Sequence, residues 1–123
     1  MRVALIAHDR MKDAMVELAR EFRATLERYE LVATGTTGRL ILEATGLGVE
    51  CMLSGPLGGD LQIGSRIACG EVQTVIFLRD PLTAHAHEPD ISALVKICDV
   101  RNVAIATNLS GAEILVRSLQ EKI

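Results

Sequence analysis

A short apolar run, a polar or glycine-rich turn and a helical pattern follow one another five times along this chain of 123 residues. The run Val3 to Ala7 is apolar at every position, which is typical of a strand buried on both faces of a sheet. After it, apolar side chains recur at spacings of three and four, which predicts one amphipathic helix from Met11 to Leu26. Strands that alternate with helices in this way indicate a parallel sheet with right-handed crossovers.

The other strands and helices are short and follow the same order. Strands are predicted at residues 3–7, 31–34, 49–53, 74–78 and 103–106. Helices are predicted at residues 11–26, 40–46, 61–68, 91–100 and 112–119. The predicted fold class is therefore α/β, a single-domain open five-stranded parallel sheet with helices on both faces, Rossmann-like, over residues 1–123. Periodicity alone does not give the order of the strands in the sheet.

Composition excludes several classes of protein. The apolar fraction of 49% excludes intrinsic disorder, and the net charge of −3, without any basic run, argues against binding to nucleic acid. No apolar run approaches the ~20 residues of a membrane span, so we expect no membrane segment and a soluble, cytoplasmic domain. The three cysteines lack CxxC spacing, which indicates neither a disulfide framework nor a zinc knuckle.

Polar clusters follow all five predicted strands at their carboxyl ends. They are His8-Asp9, Thr34-Gly-Thr-Thr-Gly38, Ser54-Gly-Pro-Leu-Gly-Gly-Asp60, Arg79-Asp-Pro81 and Thr107-Asn108. In an open α/β sheet the carboxyl ends of the strands share one edge, and ligands bind there. The distribution of these clusters therefore predicts a ligand site at this edge.

Considered one at a time, two of these clusters also have a purely structural interpretation. The Thr34 to Gly38 segment suits a phosphate at a helix start, with Lys12 within reach, but it is also compatible with a plain turn capped by a threonine. Asp60 opens a predicted helix, where a carboxylate is favourable whatever its purpose.

The segment from Asp80 to Asp90 combines two histidines with three acidic residues. One interpretation is a zinc site through His85 and His87, although the H-x-H pattern is loose and no cysteine lies nearby. Another is that Asp90 merely begins a helix, which leaves His87 free to titrate near neutral pH. We expect His85 to point elsewhere than His87.

Taken together, these motifs resemble the methylglyoxal synthase family, in order and over nearly the whole chain. The resemblance is carried by His8-Asp9 with Lys12, Ala33-Thr-Gly-Thr-Thr-Gly38, Leu53-Ser-Gly-Pro-Leu-Gly-Gly-Asp60, Asp80-Pro-Leu82, His87-Glu-Pro-Asp90 and Ala106-Thr-Asn108. It implies a lyase that converts dihydroxyacetone phosphate into methylglyoxal and inorganic phosphate, by an enediolate and without metal or organic cofactor. It also implies a homohexamer that phosphate inhibits allosterically.

The resemblance also implies roles for individual residues. Those that would act in catalysis are Asp60, His87 and Asp90. Those that would bind the substrate are His8, Asp9, Lys12, Thr34, Gly35, Thr36, Thr37, Ser54 and Gly55, with Asp80 in support. Many members of the family are longer at the C-terminus, so contacts of such a tail with a neighbouring subunit are expected to be absent or replaced here.

Two other functions remain open. Similar folds serve as regulatory domains that bind allosteric effectors, and such a domain would need neither a base nor a proton carrier. A sugar-phosphate isomerase would share the first half of the reaction and then keep its phosphate. An assay that separates phosphate release from aldehyde-phosphate formation distinguishes these possibilities.

Overall fold

The computed structural model describes residues 1–122, in which strands and helices alternate as the sequence pattern predicts. The strands are β1 Arg2–Ala7, β2 Glu30–Ala33, β3 Val49–Cys51, β4 Thr74–Leu78 and β5 Ala104–Ala106. The helices are α1 Lys12–Glu21, α2 Arg23–Leu26, α3 Gly35–Thr45, α4 Gly59–Ala68, α5 Glu88–Val100 and α6 Leu109–Gln120. Short 3₁₀ turns lie at Asp9–Met11 and Gly55–Leu57. None of the helices in residues 1–122 is long and apolar enough to cross a membrane.

The five strands form one parallel sheet in the order β3-β2-β1-β4-β5, which confirms the predicted fold class. Leu5 of β1 pairs with Ala33 on one side and with Ile76 on the other. The chain runs outward from β1 to β3 and then returns to β4, so the strand order reverses between β1 and β4. This is the topological switch point, where a crevice opens at the carboxyl ends of the strands.

Helices cover both faces of the sheet, which explains why β1 is apolar at every position after Arg2. Val3 and Leu5 belong to a buried cluster with residues of α1, α3 and α6. Ala4 and Ile6 face the opposite layer and pack with residues of α4 and α5. Because successive side chains of a strand point to opposite faces, both sets must be apolar to be buried.

The predicted helix over residues 11–26 is two helices in the structure. Phe22 leaves the helical conformation, with φ −108° and ψ 25°, and separates α1 from α2. The turn lets α2 pack against α6 while Phe22 and Leu26 stay buried. The apolar spacing predicted the buried stripe correctly, but a stripe of this kind does not show where the backbone bends.

Candidate active site

A cavity of about 480 Å³ opens at the carboxyl edge of the sheet, beside the switch point between β1 and β4. It brings together nearly all of the residues that the sequence singled out. Those in its wall are His8, Asp9, Lys12, Thr34, Thr36, Thr37, Ser54, Gly55, Asp60, Asp80 and His87. Gly35 and Asp90 are not in the wall.

Gly35 and Asp90 do not line the cavity and act through their neighbours instead. The N–H of Gly35 donates to the carbonyl of Leu53, and a Cβ at this position would lie 2.9 Å from the Met52 carbonyl oxygen. Gly35 is therefore needed for close packing of α3, and its N–H is not available to a ligand. Asp90 is half-buried in the first turn of α5, where its charge helps to raise the pKa of Asp60.

Asp60 is the most unusual side chain of the cavity. It lies in the first turn of α4, its side chain is 0% exposed, and neither carboxylate oxygen has a hydrogen-bond partner among residues 1–122. The cap position of α4 is Gly58, so Asp60 lies in the first turn and does not cap this helix. Burial raises the pKa of the Asp60 carboxyl above its usual value; the charge of His87 partly opposes this effect, and the charge of Asp90 adds to it. A carboxylate in these surroundings is poised to accept a proton.

The burial of the Asp60 carboxylate without a hydrogen bond leads to a prediction about stability. Because the pKa of Asp60 is raised on folding, the native state keeps a proton that the unfolded state releases above the ordinary aspartate pKa of 3.8. Stability conferred by this group is thus lost as pH rises from that value through the raised pKa. We expect Asp60→Asn to unfold a few degrees higher than the wild type at pH 7.

Thermal unfolding followed by circular dichroism at several pH values tests this expectation. The stability difference between variant and wild type should grow as pH rises from about 4 to 7. A variant that unfolds at a lower temperature than the wild type at pH 7 contradicts the interpretation of Asp60 as a costly buried charge.

His87 lies directly beside Asp60. It occupies the cap position of α5, and its Nε2 is 3.4 Å from Oδ2 of Asp60. Gly55 borders the same gap, since a Cβ there would lie 3.3 Å from Asp60 Oδ1 and 3.4 Å from His87 Nε2. The absence of a side chain at position 55 therefore leaves room for a small ligand next to both groups.

His8 is held as a neutral hydrogen-bond donor. Its Nδ1 accepts the N–H of Asp80 at 2.8 Å, so in the neutral ring the proton is on Nε2. Burial, reinforced by the charges of His85, His87 and Arg79, lowers the pKa of His8 to about 4. Among the described residues the buried Nε2 has no partner, which leaves this N–H for a ligand.

His85 also lies in the wall of the cavity, contrary to expectation. Its ring stacks on the ring of His8, with the centroids 3.9 Å apart and the planes at 27°. The segment between β4 and α5 is not a strand, so residues two apart in it have no fixed relative direction. The only feature of the sequence that could have placed His85 in the cavity is its closeness to His87.

Three histidines close together raise the question of a metal. The ligating nitrogens that His8, His85 and His87 offer lie within 4.8 Å of one another. To bind a cation through Nε2, however, His8 would need its proton on Nδ1, where it would meet the N–H of Asp80. The donor set therefore does not fit a resident zinc ion.

The other end of the cavity suits an anion. α3 begins at the carboxyl end of β2, and its cap residue Thr34 makes no side-chain hydrogen bond to the helix. The N–H groups of Thr36 and Thr37 lie in the first turn, where a helix cannot satisfy them itself. Lys12 approaches the same cavity, with Nζ 3.2 Å from the Ala7 carbonyl oxygen and 2.6 Å from Oδ1 of Asp9. N–H groups at a helix start, hydroxyls and an ammonium group are together suited to bind a phosphate.

The acidic residues at the rim are paired with neighbours. The Asp9 carboxylate is almost fully exposed, and its hydrogen bond with Lys12 lowers its pKa. A hydrogen bond from Thr83 lowers the pKa of Asp80. Arg10 also lines the cavity, with Nε 3.9 Å from Oδ2 of Asp80. The sequence interpretation missed Arg10, although it follows His8-Asp9 in the same turn.

The fifth polar cluster does not belong to the cavity. The side chain of Asn108 accepts the N–H of Gly111 at 2.8 Å and caps α6. Thr107 contributes its carbonyl to the N–H of Arg79. β5 is the outermost strand on its side, so its carboxyl end lies away from the switch point.

Comparisons with known proteins agree with this fold. The family model described as MGS-like domain matches residues 14–107. The methylglyoxal synthase of Carboxydothermus hydrogenoformans is 59% identical over 119 residues, which are 97% of this chain and 98% of the relative. That of Clostridium botulinum is 56% identical over 117 residues, which are 95% of this chain and 98% of the relative.

A solved structure gives the same result at the level of the fold. The crystal structure of methylglyoxal synthase from Elizabethkingia anophelis superposes with a TM-score of 0.88 at 41% identity, and the match covers 94% of this chain and 76% of that one. Sequence and fold thus agree along nearly the whole chain, which belongs to the methylglyoxal synthase family.

Proposed function

We propose that this chain converts dihydroxyacetone phosphate into methylglyoxal and inorganic phosphate. The observation that carries the proposal is the buried Asp60 carboxylate, which has no hydrogen-bond partner among the described residues and lines the same cavity as Lys12 and the start of α3. A domain that only bound an effector would have no need of such a group. The name shared by the relatives points in the same direction.

The first step removes a proton from the hydroxymethyl carbon next to the ketone. Asp60 takes this proton, and the C–H electrons form a double bond while the carbonyl oxygen gains negative charge. The raised pKa of Asp60 brings its basicity closer to that of a useful catalyst near neutral pH. The Nε2–H of His8 donates to the developing oxyanion. His87, beside Asp60, carries a proton between the two substrate oxygens.

The second step expels phosphate from the enediolate. The C–O bond to phosphate must stand perpendicular to the enediolate plane, because its electrons leave as the neighbouring π system collapses towards a carbonyl group. Lys12 and the start of α3 are suited to hold the phosphate at this torsion and to stabilise the departing dianion. The enol product then gains a proton at carbon and becomes methylglyoxal. An isomerase would instead hold the phosphate in the plane.

An assay on the purified protein tests the reaction. With dihydroxyacetone phosphate as substrate, we expect equal amounts of inorganic phosphate and methylglyoxal, at a rate that EDTA does not change. Formation of an aldehyde phosphate without phosphate release would identify an isomerase. Saturable binding of phosphate without turnover would identify a regulatory domain.

A further part of the proposal is assembly into a homohexamer that phosphate inhibits. Leu53, Leu57 and Leu61 lie close together in sequence, before α4 and in its first turn, and each is more than half exposed. Leu82, in the turn after β4, is 92% exposed. Exposed apolar side chains of this size favour association between copies of the chain.

Light scattering at micromolar concentration is therefore expected to show a species several times larger than the 13.3 kDa chain. Replacing Leu57 by Ser should shift the distribution towards smaller species. A single species of the chain's own mass in the wild type contradicts the proposed assembly.

A further inference from the structure

The ring of His85 covers one face of His8, and the proposed reaction gives His85 no role. The two rings lie 3.9 Å apart and 27° from parallel. Phe77 meets His8 at 5.2 Å with the planes at 76°. His8 is thus packed between an aromatic edge and the flat face of another imidazole, and this packing limits rotation of its ring.

The main chain of Asp80 holds both rings at once. Its N–H donates to Nδ1 of His8 at 2.8 Å, and its carbonyl oxygen lies 3.3 Å from Nε2 of His85. Since a carbonyl can only accept, His85 donates through Nε2, and both neutral rings have their protons on Nε2. One residue of the backbone therefore defines the position of the two stacked rings.

We propose that His85 is a positioning residue, which holds His8 as a neutral donor aimed at the substrate oxygen. Its effect on catalysis rests on the function proposed above, whereas its effect on His8 does not. Loss of the stacked ring would let His8 rotate and would open its covered face to water. Small displacements of a catalytic group are costly because the reaction requires a defined approach.

The surroundings of His8 favour the same role. The titratable and charged groups that face it are His85, His87, Arg79 and Asp80. Burial is the main cause of its lowered pKa, and the charge of His85 is the next. Removal of His85 weakens both effects, so the pKa of His8 should rise towards its ordinary value of 6.5.

Two substitutions test whether the flat ring of His85 is what holds His8 in position. His85→Phe keeps a flat ring, whereas His85→Ala removes it. We expect His85→Ala to lower kcat/KM by about tenfold and His85→Phe to stay within about threefold of the wild type. Ala84→Ser, next to His85 but exposed and outside the wall of the cavity, serves as the matched control and should leave kcat/KM unchanged.

Nitrogen chemical shifts of the three histidines provide a measurement that does not depend on activity. In the wild type His8 should keep its proton on Nε2 and titrate well below pH 6. In His85→Phe, which keeps the burial but not the charge, the proton should stay on Nε2 and the pKa of His8 should rise less than in His85→Ala. In His85→Ala its titration should move upward and its two neutral tautomers should mix.

The outcomes distinguish this inference from the proposed function. Unchanged His8 shifts in His85→Ala, or a kcat/KM equal to that of the wild type, would overturn the positioning role. A loss in His85→Phe as large as that in His85→Ala would overturn the stacking mechanism. If the wild type does not release phosphate but the His8 shifts respond as expected, the positioning of His8 stands and the proposed reaction fails.

Discussion

Asp60→Asn should lower kcat by at least roughly 10²–10⁴-fold while phosphate affinity stays nearly intact. The amide is almost the same size as the carboxylate but cannot accept a proton from carbon. The phosphate site proposed at the start of α3 contains no part of Asp60, so binding of the anion should persist. Steady-state kinetics, together with calorimetric titration of inorganic phosphate, measure the two effects separately.

Asp13→Asn is the matched control, because Asp13 also lies in the first turn of a helix but is exposed and outside the cavity. It should retain wild-type kcat. If Asp60→Asn keeps more than about a tenth of the wild-type kcat, Asp60 is not the base.

His87→Gln should reduce kcat by roughly 10²-fold or more, because glutamine cannot carry a proton between the two substrate oxygens. Binding of a phosphate-bearing enediolate mimic should weaken by roughly 1–3 kcal/mol, since one oxygen of the mimic loses its partner. Turnover and inhibition constants of the purified variant give both quantities.

The control for this substitution cannot be another histidine, because all three histidines of the chain lie in the cavity. Glu88→Gln changes the adjacent residue, whose side chain is half-exposed. Its Oε2 lies 3.9 Å from the guanidinium group of Arg79, which is a weak ion pair. It should alter kcat by less than about threefold. Equal losses in the two variants would show that His87 has no special role as proton carrier.

The fold could be predicted largely because buried strands and buried helix faces are apolar in the sequence. β1 must be apolar on both faces, and that requirement is visible without any knowledge of its neighbours. The order of the strands is different, since it depends on which strands pair, as Val3 of β1 does with the distant Thr74 of β4, and side-chain periodicity carries no such information. The break at Phe22 is equally hidden, because both halves of the stripe face the same core.

The site was predictable where topology alone brings residues together. His8, Thr34 and Asp60 follow different strands, and a parallel sheet places all three at one edge. Direction within a loop is not constrained in this way, so His85 was placed wrongly. Asn108 follows a strand like the others, but distance from the switch point leaves it as a helix cap.

The hydrogen bond from the Asp80 amide to His8 links the tautomer of this histidine to the register of the sheet. β1 and β4 pair in a fixed register, with Ala7 opposite Leu78, and the two bonded residues lie just beyond that pair. A slip of one residue would carry the amide about 3.3 Å along the strand and away from the ring nitrogen. His8 would then be free to exchange its proton between its two nitrogens. The pairing of β1 with β4 therefore determines which ring nitrogen of neutral His8 carries the proton, and with it which nitrogen can donate to a ligand.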